Sequence, residues 1–419
     1  MPFVLQIFGA VGLVGYLSFQ NGQKAVNELG TKLSGKITDN IEQHVQNYIE
    51  IPRRWLQLNA ATIHSGENLE ELSSLERLFW QQLQATDFKA YIYFGSQQGE
   101  FIGIEPRQTG ETLLKIKDQF TVSDRQIYSL DNQGKRLELI NTDSYEPHTR
   151  PWYTAAEESG EFIWSIYLDA FQPIFVTTPA LPIYDQANTF QGVMAIDLPL
   201  TKINDFLKKL QISDSGKAFI IERSGAIVAT STEMPPFVTI DQRQKRLFAN
   251  EHRDPLIKAT AEHLYQNFDN LNQIKVVTQP NFEIEGAGHF LQVTPLHYEG
   301  GLDWLIVVVI PESDFMEEIN ANRNTTIWLC LIALVVATGL GVLTSRWITQ
   351  PILQLKDAAQ ALERDLEQGQ LEQEDFDEIR VAERFEELGV LARAFNSMKR
   401  QLQQSFTTLA TTNEQLAEQ

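Results

Sequence analysis

Two uncharged apolar runs near the ends of the chain limit what the rest of it can become. Residues 326–343 carry no charge over 18 residues, the length at which an α-helix can cross a bilayer. Residues 3–19 are apolar apart from Gln6 and Ser18, and at 17 residues they sit at the short limit of the same range. A secretory signal peptide would need a basic segment before the run and a small-x-small cleavage site after it, and neither is present. Both runs therefore read as membrane helices, over residues 1–20 and 324–345. No other run of that length lies between them, so the intervening stretch must fold in water. Arg346 and Lys356 follow the second run, and basic residues beside a span mark the cytoplasmic side. The long middle of the chain is then extracytoplasmic.

Charge and cysteine content remove several classes of function. The formal net charge is −21 and no basic cluster occurs, which argues against nucleic acid as a partner. The only cysteine, Cys330, lies within the second apolar run, so neither an internal disulfide nor a cysteine metal site can form. The seven histidines are scattered, without a metal-ligand spacing such as H-x3-H. No metal or cofactor is expected. Gly-rich nucleotide loops, phosphoacceptor boxes, cyclase signatures and Ser/His/Asp constellations are also missing from the sequence, so no catalytic residue is assigned.

The middle of the chain alternates between two periodicities. Val26, Leu29, Leu33, Ile37, Ile41, Val45 and Ile49 recur at helical spacing. They predict a long amphipathic stalk helix over residues 21–61, followed by a second helix over 66–86. β-type text begins at Phe88. Residues 90–94 and 101–104 form one predicted hairpin around Gly99, and residues 126–130 and 137–140 form another around Gly134. A short helix at 151–158 precedes strands at 164–168, 174–178 and 192–196. A helix at 200–210 leads to a second set: strands at 218–222, 226–229, 275–278, 289–293 and 304–310, with a helix at 252–268. Antiparallel hairpins with helices alongside give an α+β class. Beyond the second span, Pro351 opens a short heptad helix with Leu355, Ala358, Ala359 and Leu362. An acidic connector at 365–380 follows, and then a second heptad helix carries Leu391, Phe395, Met398 and Leu402.

Residues 145–197 concentrate the chemistry. Arg150-Pro151-Trp152-Tyr153 is flanked by Tyr145, and downstream come Tyr167, Asp169 and Asp197. Arg150 can grip a carboxylate through its planar fork, with Trp152 adding an N–H donor. Asp169 and Asp197 can take an ammonium group, and the three tyrosines can wall a pocket. A plainer reading fits the same residues: a surface turn whose aromatics fold into the core, with both Asp residues as ordinary turn formers.

The run Tyr145-x4-Arg150-x-Trp152, then Tyr167-x-Asp169, then Asp197, resembles the amino-acid-binding signature of double Cache domains. These are the extracytoplasmic sensors of bacterial chemoreceptors, sensor kinases and cyclases. The segment after the second apolar run, with Pro351, Glu387-Leu388-Gly389 and Phe395-Asn396-Ser397-Met398, resembles a HAMP linker. The resemblance implies an α+β fold of a long stalk helix and two PAS-like Cache lobes with antiparallel sheets, two transmembrane helices and a cytoplasmic HAMP parallel coiled coil. By domain, it implies stalk and first helices at 21–86 and a membrane-distal, ligand-binding lobe at 87–199. A membrane-proximal lobe follows at 200–322, HAMP at 346–400 and a signalling coiled coil from 401 to 419.

It further implies a multi-pass receptor of the bacterial inner membrane, working as a parallel homodimer. A small extracytoplasmic ligand, an α-amino acid or related amine, would be bound by Tyr145, Arg150, Trp152, Tyr153, Tyr167, Asp169 and Asp197. In the resembled family the Arg and Trp hold the carboxylate, and the Tyr and Asp positions hold the amino group. HAMP helices ordinarily lead to an output domain or kinase, so a chain stopping at Gln419 also reads as the input half of a sensor histidine kinase or nucleotide cyclase. A carboxylate ligand and a purely structural ectodomain remain open as alternatives.

Overall fold

The computed structural model describes residues 2–64, 72–85, 88–107, 109–120, 124–169, 174–240, 243–280, 282–344, 346, 349–367 and 386–417. By contact density the chain divides into two units, residues 23–319 and residues 1–22 with 320–419.

The larger unit opens within α1 (Pro2–His64) and continues with α2 (Leu72–Ala85). Strands β1 (Tyr91–Ser96), β2 (Phe101–Pro106), β3 (Thr112–Lys117), β4 (Asp124–Leu130) and β5 (Arg136–Ser144) follow. Next come α3 (Pro151–Ser159), β6 (Ile163–Leu168), β7 (Phe175–Tyr184) and β8 (Phe190–Pro199). These eight strands form one antiparallel sheet in the order β5-β4-β3-β2-β1-β8-β7-β6. Helix α4 (Thr201–Lys209) leads to β9 (Lys217–Glu222), β10 (Ile227–Thr230), β11 (Phe237–Ile240) and β12 (Arg243–Arg246). The second lobe is completed by α5 (Pro255–Asn267), β13 (Phe282–Ile284), β14 (Ala287–Tyr298) and β15 (Leu302–Pro311). Its main sheet runs β10-β9-β15-β14-β13, with β11 and β12 pairing separately.

Period-two alternation gives each sheet two working faces. In β1, Ile92 and Phe94 pack with Ile41, Val45, Ile49 and Leu56 of α1 and with Phe79 of α2, all nearly or wholly buried. Tyr93, from the opposite face, joins Trp152, Tyr153 and Ala156 of α3. The second lobe repeats the layout. Ile220, Ile306 and Val308 join the α1 side, and Phe219, Leu305 and Val307 pack with Ile257, Ala261 and Leu264 of α5. Helix α1 can serve both lobes because its buried residues at 37, 41, 45 and 49 recur every four positions and trace one stripe. Burying each such side chain contributes about 1.5–3 kcal/mol.

Local signals fix the turns and helix ends. Gly99 and Gly134 sit at positive φ in the two hairpin turns. Pro151 occupies the first turn of α3, and Gly160 ends that helix in the left-handed conformation. Asp254 caps α5 by accepting from the N–H groups of Leu256 and Ile257.

The structure departs from expectation in four places. Residues 275–278 form no strand; only Thr278 makes an isolated bridge, to Val293, and Val276 and Val277 are exposed. Strand β3 was not foreseen, because Lys115 interrupts its apolar text. It is tolerated in the interior through a 2.7 Å ion pair with Glu105 of β2. The hairpin of β11 and β12 was likewise not foreseen, as Arg243, Lys245 and Arg246 read as loop. The short strand β13, paired with β14, was not foreseen either; after β15 comes α6 (Ser313–Thr344).

In the smaller unit, α6 contains the segment Ile327–Thr344, long and apolar enough to cross a membrane. Among the described residues it is the one helix that meets that measure. Residues 3–19 are helical within α1. Helices α7 (Gln350–Glu367) and α8 (Glu386–Ala417) follow; of the acidic connector expected at 365–380, residues 365–367 belong to α7 and the remainder lies outside the described residues.

Gly192 of β8 faces Ser96 across the β1–β8 pairing, at φ 146°, and a Cβ there would press on the Gly95 carbonyl oxygen. Gly192→Ala is expected to lower the unfolding free energy of residues 23–319 by about 2 kcal/mol or more, read by denaturant titration. A wild-type midpoint would contradict this pairing.

Candidate functional site

The α3 face of the larger sheet holds a small cavity of about 50 Å³. Tyr91, Tyr93, Arg125, Tyr145, Arg150, Trp152, Tyr167, Asp169 and Asp197 line it, with Pro151 and Leu168. Six of the seven residues expected from the sequence thus share one cavity. Tyr153 does not line it. Its ring is fully buried against Trp152 and His148, and its hydroxyl donates to the Ser96 carbonyl at 3.3 Å. It supports α3 from behind, because successive helix positions point in different directions.

Asp197 is the acidic end of the site. It lies on β8, directly opposite Tyr91 of β1, and is 6% exposed. Three hydroxyls from three strands donate to the same oxygen, Oδ1: Tyr93 at 2.6 Å, Thr178 at 2.7 Å and Tyr167 at 2.8 Å. Among the described residues none donates to Oδ2, which leaves that oxygen as the acceptor for a further donor. Burial raises the Asp197 carboxyl from 3.8 to about 6, and the nearby Asp169 charge adds to the rise. The hydroxyls of Thr178, Tyr93 and Tyr167 oppose it. Burial next to this carboxylate also pushes the Tyr93 and Tyr167 phenols well up, so both stay neutral donors.

Arg150 is the basic end. It is the N-cap residue of α3, in extended conformation, with Pro151 next. Its guanidinium lies 4.6 Å from the centre of the Tyr145 ring, and its buried Nε has no hydrogen-bond partner. Among the described residues Arg150 forms no ion pair. The position beside a helix N-terminus adds the positive end of the helix dipole. Trp152 is locked edge-on against Tyr93, with centroids 4.9 Å apart. It fits against β1 because Gly95 has no side chain; a Cβ there would come 2.9 Å from the indole. Tyr145 is pushed up to about 12 by burial, against the pull of Arg125, of a hydrogen bond with Trp152 and of Arg150.

Sequence reasoning missed Tyr91, Tyr93, Arg125 and Thr178. The two tyrosines had a signal: they alternate with Ile92 and Phe94, and so share the face opposite the α1 core. Arg125 had none. It is fully buried and bonds Asp143 through Nε at 3.0 Å and Nη2 at 2.7 Å. Counting outward from the Leu130–Arg136 pair would set Arg125 opposite Asn141, but two register shifts bring Asp143 there instead.

Among the described residues, the arrangement thus presents a cation without an ionic partner and a buried carboxyl with a free oxygen, on one aromatic-walled cavity of the eight-stranded sheet. Such a layout can hold the two ends of a small ionic molecule. Residues 23–319 match the family model for the Cache domain and residues 343–404 that for the HAMP domain. The first match spans well over half of the chain, which therefore belongs to the double Cache family and carries a HAMP domain.

Among characterised relatives, the methyl-accepting chemotaxis protein PctB of Pseudomonas aeruginosa is 24% identical over 273 residues, 65% of this chain and 38% of that protein. McpC of Bacillus subtilis, another methyl-accepting chemotaxis protein, is 23% identical over 258 residues, 61% of this chain and 33% of that protein. The chain therefore spans about a third of the length of these relatives. Among solved structures, the ligand-binding domain of the Pseudomonas aeruginosa amino acid chemoreceptor PctC, in complex with GABA, is 19% identical. That match has a TM-score of 0.43 and covers 68% of this chain and 99% of that domain.

The raised Asp197 carboxyl has a consequence for stability. Between pH 4 and 6 the folded state holds a proton that the unfolded chain has lost, so stability falls as pH rises through that window. The two-unit shift corresponds to about 3 kcal/mol. The readout is wild type against Asp197→Asn in residues 23–319, because groups such as Glu50, held down at about 2 by Arg53, titrate with the opposite sign. The variant is expected to gain on wild type from pH 4 to pH 7. A gap that stays constant with pH would refute the shift.

Proposed function

We propose that the chain is the sensing part of a membrane receptor whose distal Cache lobe binds an α-amino acid or a closely related amine. One observation carries this reading: the unpaired guanidinium of Arg150 and the open Oδ2 of Asp197 face the same small cavity. Such a pair matches the two ends of a zwitterion. The carboxylate would take the Arg150 fork beside the α3 N-terminus, and the ammonium would take Asp197 with Asp169 nearby. Tyr145, Trp152 and Tyr167 would wall the ligand, while Tyr153 holds α3 in place.

In the same reading, residues 87–199 form the membrane-distal binding lobe and residues 200–322 a membrane-proximal lobe that transmits. Both apolar runs cross the membrane, and the signal passes along the chain through residues 327–344 to HAMP. The likeness to methyl-accepting chemotaxis proteins supports a cytoplasmic signalling domain or kinase as the partner beyond HAMP. A ligand signals only if it binds one conformation better than another. Moving a 1:99 balance to 99:1 takes about 5.5 kcal/mol of differential binding. Two charge-assisted contacts in a partly desolvated site are of that order.

A crossed binding experiment tests the site. Arg150→Ala and Asp197→Ala should each weaken an α-amino acid by about thirtyfold or more, since loss of one member of a shielded ionic pair costs about 2–5 kcal/mol. A ligand without its amino group should ignore the Asp197 change, and one without its carboxylate should ignore Arg150→Ala. Calorimetry on residues 23–319 gives the four affinities. Two folded variants with wild-type affinity would sink the reading.

The parallel homodimer rests on α7 and α8, where Ile352, Leu353, Val390, Leu391 and Met398 are exposed apolar residues in a single chain. With Cys330 replaced by serine, a cysteine at Leu353 is expected to crosslink two copies in membranes. Failure to crosslink there, and at neighbouring positions of α7, would count against the dimer.

A further inference from the structure

Among the polar groups of the cavity that neither end of a zwitterion uses is the hydroxyl of Tyr91. The ring carrying it is held from three sides. Tyr93 lies 4.6 Å away, centroid to centroid, and the Lys115 ammonium of β3 sits 4.5 Å from the ring centre, itself paired to Glu105. On β2, Gly103 leaves the space the ring occupies: a Cβ at that position would come 2.8 Å from the ring and 3.1 Å from its oxygen. Tyr91 thus extends from β1 across β2, starting directly opposite Asp197. Its hydroxyl is buried and has no hydrogen-bond partner among the described residues. Arg125, held by a bidentate pair with Asp143, also lines the cavity.

A buried hydroxyl left unpaired is costly, and a residue that only filled space here could be phenylalanine. A hydroxyl held rigidly at the wall of a ligand cavity is instead placed to donate to a ligand atom. The volume limits what can reach it. A water needs about 10–15 Å³ by the same kind of measure, so about 50 Å³ takes a few heavy atoms and no long side chain.

We propose that Tyr91 reads the ligand's side chain, so that the site prefers small amino acids with a side-chain oxygen that can accept its hydrogen bond over their apolar isosteres. This rests on the amino-acid reading of the site. With the ammonium on Asp197 of β8 and the carboxylate at Arg150, a short side chain directed over β1 and β2 meets the Tyr91 hydroxyl. A site built around such a donor discriminates strongly against the analogue that leaves it unpaired.

Three near-isosteric pairs test this on the full chain in nanodiscs: L-serine with L-2-aminobutyrate, L-threonine with L-valine, and L-asparagine with L-leucine. In the wild type the oxygen-bearing member of at least one pair should bind tenfold or more tighter, about 1.4 kcal/mol. Tyr91→Phe should close that gap by weakening the oxygen-bearing member alone. Because the hydroxyl has no protein partner, Tyr91→Phe should melt no lower than wild type. Equal binding within every pair, a gap that survives Tyr91→Phe, or a melting temperature several degrees lower would each overturn the assignment. Absence of binding by all six amino acids would overturn the amino-acid reading together with it, whereas tight binding without discrimination would overturn the Tyr91 assignment alone.

Discussion

The carboxylate of Asp197 is the group that the rest of the first lobe has to accommodate. An ionisable side chain 6% exposed is tolerable only if its oxygens are met. Here one oxygen collects three hydroxyls, from Tyr93 on β1, Tyr167 on β6 and Thr178 on β7. Those strands are brought together by the sheet order β1-β8-β7-β6, with Asp197 on the strand between the donors. A slip of one residue in β8 would carry Asp197 to the α1 face, among Ile41, Phe79 and Ile92, and away from these three hydroxyls. Register and site chemistry are therefore one constraint. The small residues around it serve that register: Gly192 where β8 faces Ser96, and Gly95 where the indole of Trp152 closes on β1.

Much of this could be read in the sequence because it rests on local signals. Gly99 and Gly134 place the hairpins, Pro151 and Gly160 bracket α3, and the four-residue spacing of apolar positions gives the α1 stripe. Six of the residues that line the cavity were also named by motif. What escaped depends on partners distant in sequence. Lys115 made β3 look like a loop because Glu105, its partner, is on another strand. Arg125 looked like an ordinary exposed charge, since two register shifts hide its pairing with Asp143. Residues 275–278 have the composition of a strand, but only Thr278 finds a pairing partner, and a strand requires a neighbour as well as a propensity. Tyr153 was placed in the pocket because it adjoins Trp152, yet one residue along a helix turns the side chain by about 100°.

The ligand-facing side of the sheet is unusually charged for an interior. Glu105 with Lys115, and Arg125 with Asp143, lie where apolar residues would pack at no desolvation cost. Replacing such pairs by hydrophobic residues is often neutral or stabilising, so stability alone is a weak reason for them. Their positions suggest a different role. Lys115 fixes the Tyr91 ring from above, and Arg125 lies 4.0 Å from the centre of the Tyr145 ring, which also carries Arg150 at 4.6 Å. Each pair holds an aromatic side chain that lines the cavity, and the planar, bidentate pair of Arg125 with Asp143 fixes orientation in a way that apolar contacts do not.

These constraints meet in how such a site could drive a signal. Without a cationic partner, burial raises the Asp197 carboxyl to about 6, so its charged form costs more here than it would in water. An ammonium at Oδ2 would relieve that cost as well as add an ionic contact. In the same step the carboxylate of the ligand would satisfy the buried Nε of Arg150, which has no protein partner. The two groups are on different elements, Arg150 at the start of α3 and Asp197 on β8, an interior strand of the sheet. Ligand energy would thus be released where α3 closes on the sheet. A conformation that brings the two charges to one ligand gains from both, whereas one that separates them gains from only one. That difference between conformations is what a receptor needs, because a ligand favouring neither state shifts nothing however tightly it binds.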